Sequence, residues 1–445
     1  NAHAPSGGDF VPGGAAPAAL PFEGTVTAVT ATNGDNWRPQ INAAGQVLWT
    51  GWTGSNMEIY ASAADGSGRV AVSGSPRLDE LPRMNDAGQV VWQQFDGRDY
   101  EIWTANADGT SRRRITNNAV QSWHPDISAT GRIVWEQYSH TSQRYEIMSS
   151  NFDGTDVVQV SQLGANGSRP RDSMWPRINA SNRVVWFGYS GSAWQIYSAN
   201  ADGSDHRNIS NNSNENEFPQ INDNNQVVWH AWHSNTNAEV YLGSATGGSA
   251  VRLSNNSVLD LWPQLNNNGD VTWMQRNSRW QVMYRPFGGA TQTITPNTAH
   301  NQHPVIDDDG RIAWQGFDGH DWEIYLYADG VIHQLSDNDC DDRAPAIRTG
   351  GEVVWHGESM PGTNGNLTQI YAASFETDPP FAVGDLNCDG AIDTADIDAF
   401  VMALVNPDGY ATAYPDCDPT LADTNGDGSV DTADIDGFVA LIMGG

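Results

Sequence analysis

Lysine is missing from this chain: all 22 of its basic residues are arginine, against 54 acidic residues, and the formal net charge is −32. Without lysine, Schiff-base catalysis by a lysine amine is excluded. The acidic excess argues against nucleic acid, whose phosphates must be neutralised by basic side chains, and against anionic membrane surfaces. Metal cations, carbohydrate and protein are the partners that such a surface favours.

Long apolar runs are missing as well. No stretch approaches the roughly 20 apolar residues that span a bilayer, so we predict no membrane span. The chain starts at Asn1 rather than at a methionine, as a mature protein does after removal of a signal peptide. We therefore expect a secreted protein that is located outside the cell or on its surface.

Cysteine is scarce, with three residues in the whole chain. Cys388 and Cys417 fall in one small domain, where an oxidising compartment would favour a disulfide. Cys340 is then unpaired, and we expect it to be a semi-exposed thiol without a function.

What the chain has is a self-similar unit of 41 to 51 residues, a period typical of propellers and solenoids. Each unit opens with a Pro-x-apolar step, and ten residues later a Trp closes a short apolar run. The prolines are Pro39, Pro82, Pro125, Pro176, Pro219, Pro263, Pro304 and Pro345, and the tryptophans are Trp49, Trp92, Trp135, Trp186, Trp229, Trp273, Trp314 and Trp355. Apolar residues on both faces of a strand imply burial on both faces, so we predict that these eight Trp are core residues.

A Glu/Gln-apolar-aromatic/Met step, a Gly-containing turn and an Ile-Thr-like ending complete the unit, which is the four-stranded pattern of a propeller blade. The eighth unit reaches a third strand at Gln369 but lacks a fourth. Thr25 to Asn33 has fourth-strand character, because Thr30 precedes the first repeat proline by nine residues, as Thr116 precedes the third. We therefore predict a mostly β fold, an eight-bladed β-propeller over residues 23–375 that is closed by its N-terminal strand.

This pattern resembles the TolB-type propeller repeats over about residues 25–375. The resemblance implies the fold, and such propellers serve as binding platforms and as scaffolds for some polysaccharide lyases and peptidases. Residues 1–22 are rich in Ala, Gly and Pro and are expected to form a flexible arm. Residues 376–383 are expected to be a linker, and residues 384–445 a separate domain.

The C-terminal domain contains no basic residue and carries two matching acidic segments. Oxygen-bearing side chains stand at positions 1, 3, 5, 9 and 12, and Gly stands at position 6, as in a calcium loop of the EF-hand type. The predicted ligands are Asp385, Asn387, Asp389, Asp393 and Asp396 in the first segment, and Asp423, Asn425, Asp427, Asp431 and Asp434 in the second. We expect two Ca²⁺ ions, because clustered carboxylates are costly without a cation.

Each acidic segment leads into a predicted amphipathic helix, whose apolar residues are Ile397, Phe400, Val401 and Leu404 in the first and Ile435, Phe438, Val439 and Ile442 in the second. A duplicated loop with Asp at position 12 and a following helix resembles a type I dockerin. With its cysteine pair, the domain is similar to the dockerin-like domains of planctomycete secreted proteins. The resemblance implies a small α-helical domain that binds a cohesin-type protein partner through loop positions 10 and 11, here Thr394, Ala395, Thr432 and Ala433.

No sequence pattern identifies an active site, and no Gly-x-Ser-x-Gly elbow is present. Several histidines fall in the later repeats without metal-ligand spacing, and we interpret them as packing residues: His230, His233, His300, His303, His320 and His356. Arg169 and Arg171, in the insertion from Ser161 to Ser173, could bind a uronate carboxylate, although a solvated loop is the simpler interpretation.

These features favour a non-catalytic extracellular structural or assembly protein, with a propeller body and calcium-dependent dockerin coupling. The partner is either another protein or a second copy of the chain, which would give a filament or surface array. Two alternatives stay open: a secreted polysaccharide-degrading enzyme with a lyase-like propeller tethered by its dockerin, and a propeller that binds glycan or peptide.

Overall fold

The computed structural model describes residues 19–22, 24–161, 172–358, 367–374, 382–414, 417–426 and 429–444. The chain divides into two compact units, Asn1–Phe375 and Glu376–Gly445. Most of the expected arm and linker, and the insertion with Arg169 and Arg171, lie outside the described residues.

The first unit is built from short strands. In chain order they are β1 (Leu20–Pro21), β2 (Val26–Ala28), β3 (Asn36–Ile41), β4 (Gln46–Trp52), β5 (Met57–Ala63), β6 (Val70–Ala71), β7 (Leu78–Met84), β8 (Gln89–Phe95), β9 (Tyr100–Asn106), β10 (Arg113–Arg114), β11 (Ser122–Ile127), β12 (Arg132–Ser139), β13 (Arg144–Asn151), β14 (Val158–Gln159), β15 (Ser173–Ile178), β16 (Arg183–Tyr189), β17 (Trp194–Asn200), β18 (Arg207–Asn208), β19 (Glu215–Ile221), β20 (Gln226–Ser234), β21 (Asn237–Ser244), β22 (Val251–Arg252), β23 (Leu259–Leu265), β24 (Val271–Arg276), β25 (Trp280–Arg285), β26 (Gln292–Thr293), β27 (Asn301–Ile306), β28 (Ile312–Phe317), β29 (Trp322–Ala328), β30 (Val331–Gln334), β31 (Asp342–Ile347), β32 (Glu352–Glu358) and β33 (Thr368–Ser374).

Consecutive strands pair antiparallel in sets of four, which we number as repeats 1 to 7 from β3–β6 to β27–β30. Repeat 8 comprises β31–β33, and β2 pairs antiparallel with β33, with Val26 opposite Ala373. This is the place predicted for the missing fourth strand. Repeats 5 and 6 also share one parallel bridge, Ala238 to Leu259. The described part of the first unit is therefore a chain of four-stranded meanders.

The eight repeat tryptophans are at most 1% exposed, which confirms that they are core residues. Each belongs to a cluster of apolar side chains, and most of these clusters join neighbouring repeats. Trp92 of repeat 2, for example, packs with Leu48 and Ile59 of repeat 1. Trp49 of repeat 1 packs in the same way with Val354 and Ile370 of repeat 8.

A hydroxyl side chain marks the end of the fourth strand in all eight repeats. It accepts a hydrogen bond from the backbone N–H at the centre of the third strand, as when Ile102 donates to Thr116 over 2.8 Å. In repeat 8 the acceptor is Thr30, to which Ile370 donates over 2.8 Å. The N-terminal segment thus supplies the same contact to repeat 8 that the other repeats supply to themselves.

Two expectations for this unit need correction. Leu20–Pro21, at the end of the expected arm, forms strand β1 and pairs in parallel with β30. Cys340 is buried rather than semi-exposed, with 6% of its surface accessible, because it lies in the packed connection between repeats 7 and 8. Among the described residues, no helix has the length and apolar character needed to cross a membrane.

The second unit is helical. It contains α1 (Ile397–Val405), α2 (Pro407–Ala413) and α3 (Ile435–Gly444), with 3₁₀ turns at Thr394–Asp396, Pro419–Ala422 and Thr432–Asp434. Phe400 and Phe438 stack face to face, 3.9 Å between ring centroids, in its small core. Cys388 and Cys417 form a disulfide beside that core.

The helices do not bury all of the apolar residues expected on their inner faces. Phe400 and Phe438 are buried, but Ile397, Val401 and Val439 are exposed. The core side of α1 is completed instead by Ala399 and Ala403, since the unit is too small to cover a wider stripe.

Candidate functional site

The first strand of every repeat carries a β-bulge at the residue before its proline. These residues, which we call the bulge row, are Arg38, Leu81, His124, Trp175, Phe218, Trp262, His303 and Ala344, and all have φ between 47° and 55°. A side chain in this left-handed region costs roughly 1–2 kcal/mol, and strained positions of this kind cluster at functional sites. The bulge turns each of these side chains out of the regular alternation of its strand.

Four consecutive members of the bulge row contact one another. His124 stacks on Trp175 at 4.1 Å between ring centroids, Trp175 meets Phe218 edge-on at 5.6 Å, and Phe218 lies 4.5 Å from Trp262. All four side chains are partly accessible. Repeats 3 to 6 therefore present a continuous aromatic surface along their first strands.

The bulge row is held by the repeat before it. The backbone N–H of Trp175 donates to Glu136 over 2.9 Å, and that of Ala344 donates to Gln315 over 3.0 Å. Both acceptors directly follow the repeat Trp, and Arg38 of repeat 1 similarly approaches His356 of repeat 8 at 3.4 Å. The second strand of one repeat thereby positions the bulge of the next.

One titratable pair stands out in this row. His124 Nδ1 lies 2.9 Å from Oε1 of the fully buried Glu136. Trp123 stacks on Tyr145 next to this pair, and burial, reinforced by the Glu136 charge, raises the pKa of Tyr145. An imidazole, a carboxylate and a phenol thus lie in one region, and groups of these kinds can hold or move a proton.

Polar residues follow the prolines on the same strands. Burial and the nearby charge of Arg83 lower the pKa of Arg177 to about 10, partly offset by Asp126. Arg177 also donates to Gln220 over 3.3 Å. Two guanidinium groups and a carboxylate thus lie beside the aromatic surface.

The histidines singled out in the sequence do not form a single centre. Burial lowers the pKa of His230, which is 2% exposed, to about 3, so its imidazole is neutral. His356 lies in repeat 8, and burial with the charges of Arg343 and Arg38 lowers its pKa to about 4. His303 is an exposed member of the bulge row.

The second unit contains the predicted cation ligands. In its first acidic loop Asp385 and Asp396 are buried, and Asn387 and Asp393 both donate their backbone N–H to the Asp396 carboxylate, over 3.0 and 2.9 Å. Burial and the charge of Asp396 raise the pKa of Asp385. Gly390 has φ 88°, the turn that loop position 6 requires.

The second acidic loop repeats this geometry. Asn425 and Asp431 donate their backbone N–H to the buried Asp434 carboxylate over 3.1 and 2.9 Å. Asp427 and the glycine after it lie outside the described residues. Each loop thus holds a buried carboxylate with backbone N–H groups beside further acidic side chains, and carboxylate oxygens are the ligands that a hard cation such as Ca²⁺ prefers.

The predicted partner-binding residues Thr394, Ala395, Thr432 and Ala433 are all exposed. Apolar side chains continue from them along the helices at intervals of four residues: Ile397, Val401 and Val405 on α1, and Ile435, Val439 and Met443 on α3. The second unit therefore shows two similar apolar stripes, one after each loop.

The bulge row was missed in the sequence analysis. Its signal was the residue before each repeat proline, which is aromatic or histidine in five repeats. Only the bulge, which no simple pattern reveals, shows that these residues share a surface.

The sequence matches no protein-family model and none of the curated proteins. In fold, the chain is similar to an oligogalacturonate lyase from Vibrio parahaemolyticus, with a TM-score of 0.50 and 10% identity over 79% of this chain and 94% of that one. A puromycin-hydrolyzing peptidase from Mycobacterium tuberculosis has a TM-score of 0.51 and 11% identity over 77% of this chain and 61% of that one. The β-propeller domain of the Trilobed protease from Pyrococcus furiosus has a TM-score of 0.48 and 12% identity over 67% of this chain and 94% of that one. The chain is thus mostly β, with β-propeller proteins as structural neighbours, and identities this low speak to the fold alone.

Proposed function

We propose that this chain is a non-catalytic extracellular assembly protein, in which a propeller body is joined to a calcium-binding, dockerin-like module that couples it to a protein partner. The observation that carries the proposal is the matching geometry of the two acidic loops around buried Asp396 and Asp434. Two loops with the same ligand order and the same hydrogen bonds favour binding of two Ca²⁺ ions.

We propose eight blades for the body, closed into a ring by β2. The pairing of β2 with β33 supports this, as does the packing of Trp49 against repeat 8. A ring of this kind leaves only short sheet edges and would be a rigid carrier for the coupling module.

The coupling surface that we propose consists of loop positions 10 and 11 with the apolar stripes that follow them. Exposed apolar side chains next to an ordered loop are typical of protein interfaces. Since calcium would organise both loops, binding of the partner should depend on calcium. The partner to test first is a second copy of the chain.

Light scattering and electron microscopy, with Ca²⁺ and after chelation, test this coupling. We expect assemblies that form with calcium, dissociate on chelation, and are lost when Asp396→Asn and Asp434→Asn are combined. Asp398→Asn and Asp436→Asn, on exposed helix positions two residues away, are the matched control and should assemble normally. A monomer in calcium would contradict self-coupling and direct the search to another protein.

A second candidate function rests on His124, Glu136 and Tyr145 beside the aromatic surface. One structural neighbour is an oligogalacturonate lyase, and Arg83 and Arg177 are suited to uronate carboxylates. Polygalacturonate treated with the wild type and with His124→Ala tests it: release of unsaturated products by the wild type alone would support a lyase. Binding without turnover would favour a glycan-binding propeller.

A further inference from the structure

One sequence motif occurs twice in the first unit, in repeats that the proposed function does not distinguish. Phe-Asp-Gly-x-Asp-aromatic-Glu-Ile spans Phe95–Ile102 in repeat 2 and Phe317–Ile324 in repeat 7. In both, the Phe ends the second strand opposite the aromatic residue that begins the third. The two motifs thus place three carboxylates each on equivalent hairpins.

In repeat 2 arginine side chains compensate these carboxylates. Arg114 Nη2 lies 2.9 Å from Asp96 Oδ2 and 3.0 Å from Oε1 of the fully buried Glu101. Asp99 pairs with the neighbouring Arg98 at 3.3 Å and accepts a hydrogen bond from Gln121 over 3.2 Å. The Arg114 guanidinium therefore lies between Asp96 and Glu101.

Repeat 7 lacks that arginine. Gln334 takes the place of Arg114, since each stands two residues before the hydroxyl, Ser336 or Thr116, that accepts the N–H of the third strand. Asp341 takes the place of Gln121: it accepts the N–H of the motif's aromatic residue over 3.1 Å. Repeat 7 has thus lost a positive charge and gained a negative one around the same motif.

The carboxylates of repeat 7 converge nonetheless. Oxygens of Asp318, Asp321 and Glu323 all lie within 4.8 Å of one another. Asp321 is only 9% exposed, and neither of its carboxylate oxygens has a hydrogen-bond partner within the described part of the chain. Glu323 is fully buried and accepts the backbone N–H of Asn338 over 2.8 Å and the Ser336 hydroxyl.

A buried carboxylate without a partner is costly. Burial, with the charge of Asp318, raises the pKa of Asp321 to about 6, and burial also raises the pKa of Glu323. The nearby Arg343 is paired with Asp341 at 2.8 Å. Among the described residues, no arginine forms an ion pair with any of the three motif carboxylates.

We propose that Asp318, Asp321 and Glu323 bind a calcium ion at the position where Arg114 compensates repeat 2. Three carboxylates without nitrogen or sulfur ligands suit a hard cation, and Ca²⁺ tolerates the irregular geometry of a hairpin. Asp318 is only partly buried, so water can complete the six to eight oxygen ligands. This site lies in the first unit and does not depend on the proposed role of the C-terminal loops.

Calcium titration of the full chain, stripped with a chelator and followed by isothermal titration calorimetry, tests the proposal. Gln334→Arg should place a guanidinium between the carboxylates, as in repeat 2, and lower the number of bound Ca²⁺ ions by one per chain. Asp321→Asn should have the same effect. Asp99→Asn, the same substitution at the equivalent position of repeat 2, is the matched control and should leave the number unchanged.

Terbium luminescence locates the site, because Trp322 stands between two of the ligands in sequence and residues 376–445 contain no tryptophan. With excitation selective for tryptophan, emission should fall in Gln334→Arg and in Trp322→Phe. A folded Gln334→Arg chain that binds as much Ca²⁺ as the wild type would overturn the proposal. Gln334→Arg tests the proposal even if Asp321→Asn fails to fold. The new arginine would make the arginine–carboxylate contacts that Arg114 already makes in repeat 2.

Discussion

The two units of the chain bury carboxylates in different ways. In the repeats, Asp260 accepts a hydrogen bond from the indole of Trp273, and Glu239 pairs with Arg252. In the C-terminal unit, which has no basic residue, the described contacts of buried Asp396 and Asp434 come from backbone N–H groups. The repeats thus largely compensate buried charge with their own side chains, whereas the C-terminal unit offers its buried carboxylates only backbone N–H groups, an arrangement that the proposed Ca²⁺ ions would complete.

The largest expected effect is that of calcium chelation, which should unfold the C-terminal unit and leave the repeats folded. Calcium at about 1,000 times its Kd stabilises a binding site by about 4 kcal/mol, and chelation removes that contribution. Hydrogen exchange followed by mass spectrometry should show lost protection in residues 384–444 and kept protection in the repeats outside the β28–β29 hairpin. Equal loss of protection in both units would contradict the comparison.

A smaller effect on folding stability is expected when the pH is lowered, because His230 is buried in its neutral form. Its pKa is about 3 in the folded state, below the ordinary value of 6.5, so the unfolded chain binds the proton first. Its contribution to stability is therefore complete above pH 6.5 and is lost as the pH falls toward 3, by about 1.4 kcal/mol per pH unit.

Denaturant unfolding at fixed calcium concentration measures this effect. Relative to the wild type, His230→Phe should become progressively more stable between pH 6.5 and pH 4. His140→Phe, at an exposed position, is the control. A constant difference between His230→Phe and the wild type would show that His230 is not buried in its neutral form.

The smallest expected effect is a difference in stability between equivalent variants of two repeats. Trp273→Phe removes the indole N–H that donates to Asp260 over 2.7 Å, while the indole N–H of Trp186 has no partner within the described residues. Asp260 keeps its hydrogen bonds from Gln275 and Asn256. Since one hydrogen bond to a charged group contributes about 1.5–3 kcal/mol, Trp273→Phe should destabilise the chain by about that much more than Trp186→Phe. Thermal unfolding of the two variants measures the difference, and equal losses would mean that indole hydrogen bonds add nothing to the repeat core.

Several features were predictable because they depend on local periodicity. Strands, turns and buried tryptophans follow from short patterns, and the pairing partner of β2 follows from the spacing of Thr30. The exposed apolar stripes on α1 and α3 were not predictable, because helical spacing shows that apolar residues share a face but not whether the unit is large enough to cover it.

The sequence by itself determined the repeat, its tryptophan core and the order of acidic residues in the C-terminal loops. Only the tertiary structure decided which side chains meet in space: the bulge row that joins His124 to Trp262 across repeats, and the carboxylate cluster within repeat 7. The physical reason is the separation along the chain over which each kind of interaction acts. Periodicity and turn chemistry act over a few residues, whereas the contact between Arg114 and Glu101, and its loss at Gln334, depends on strands paired through space.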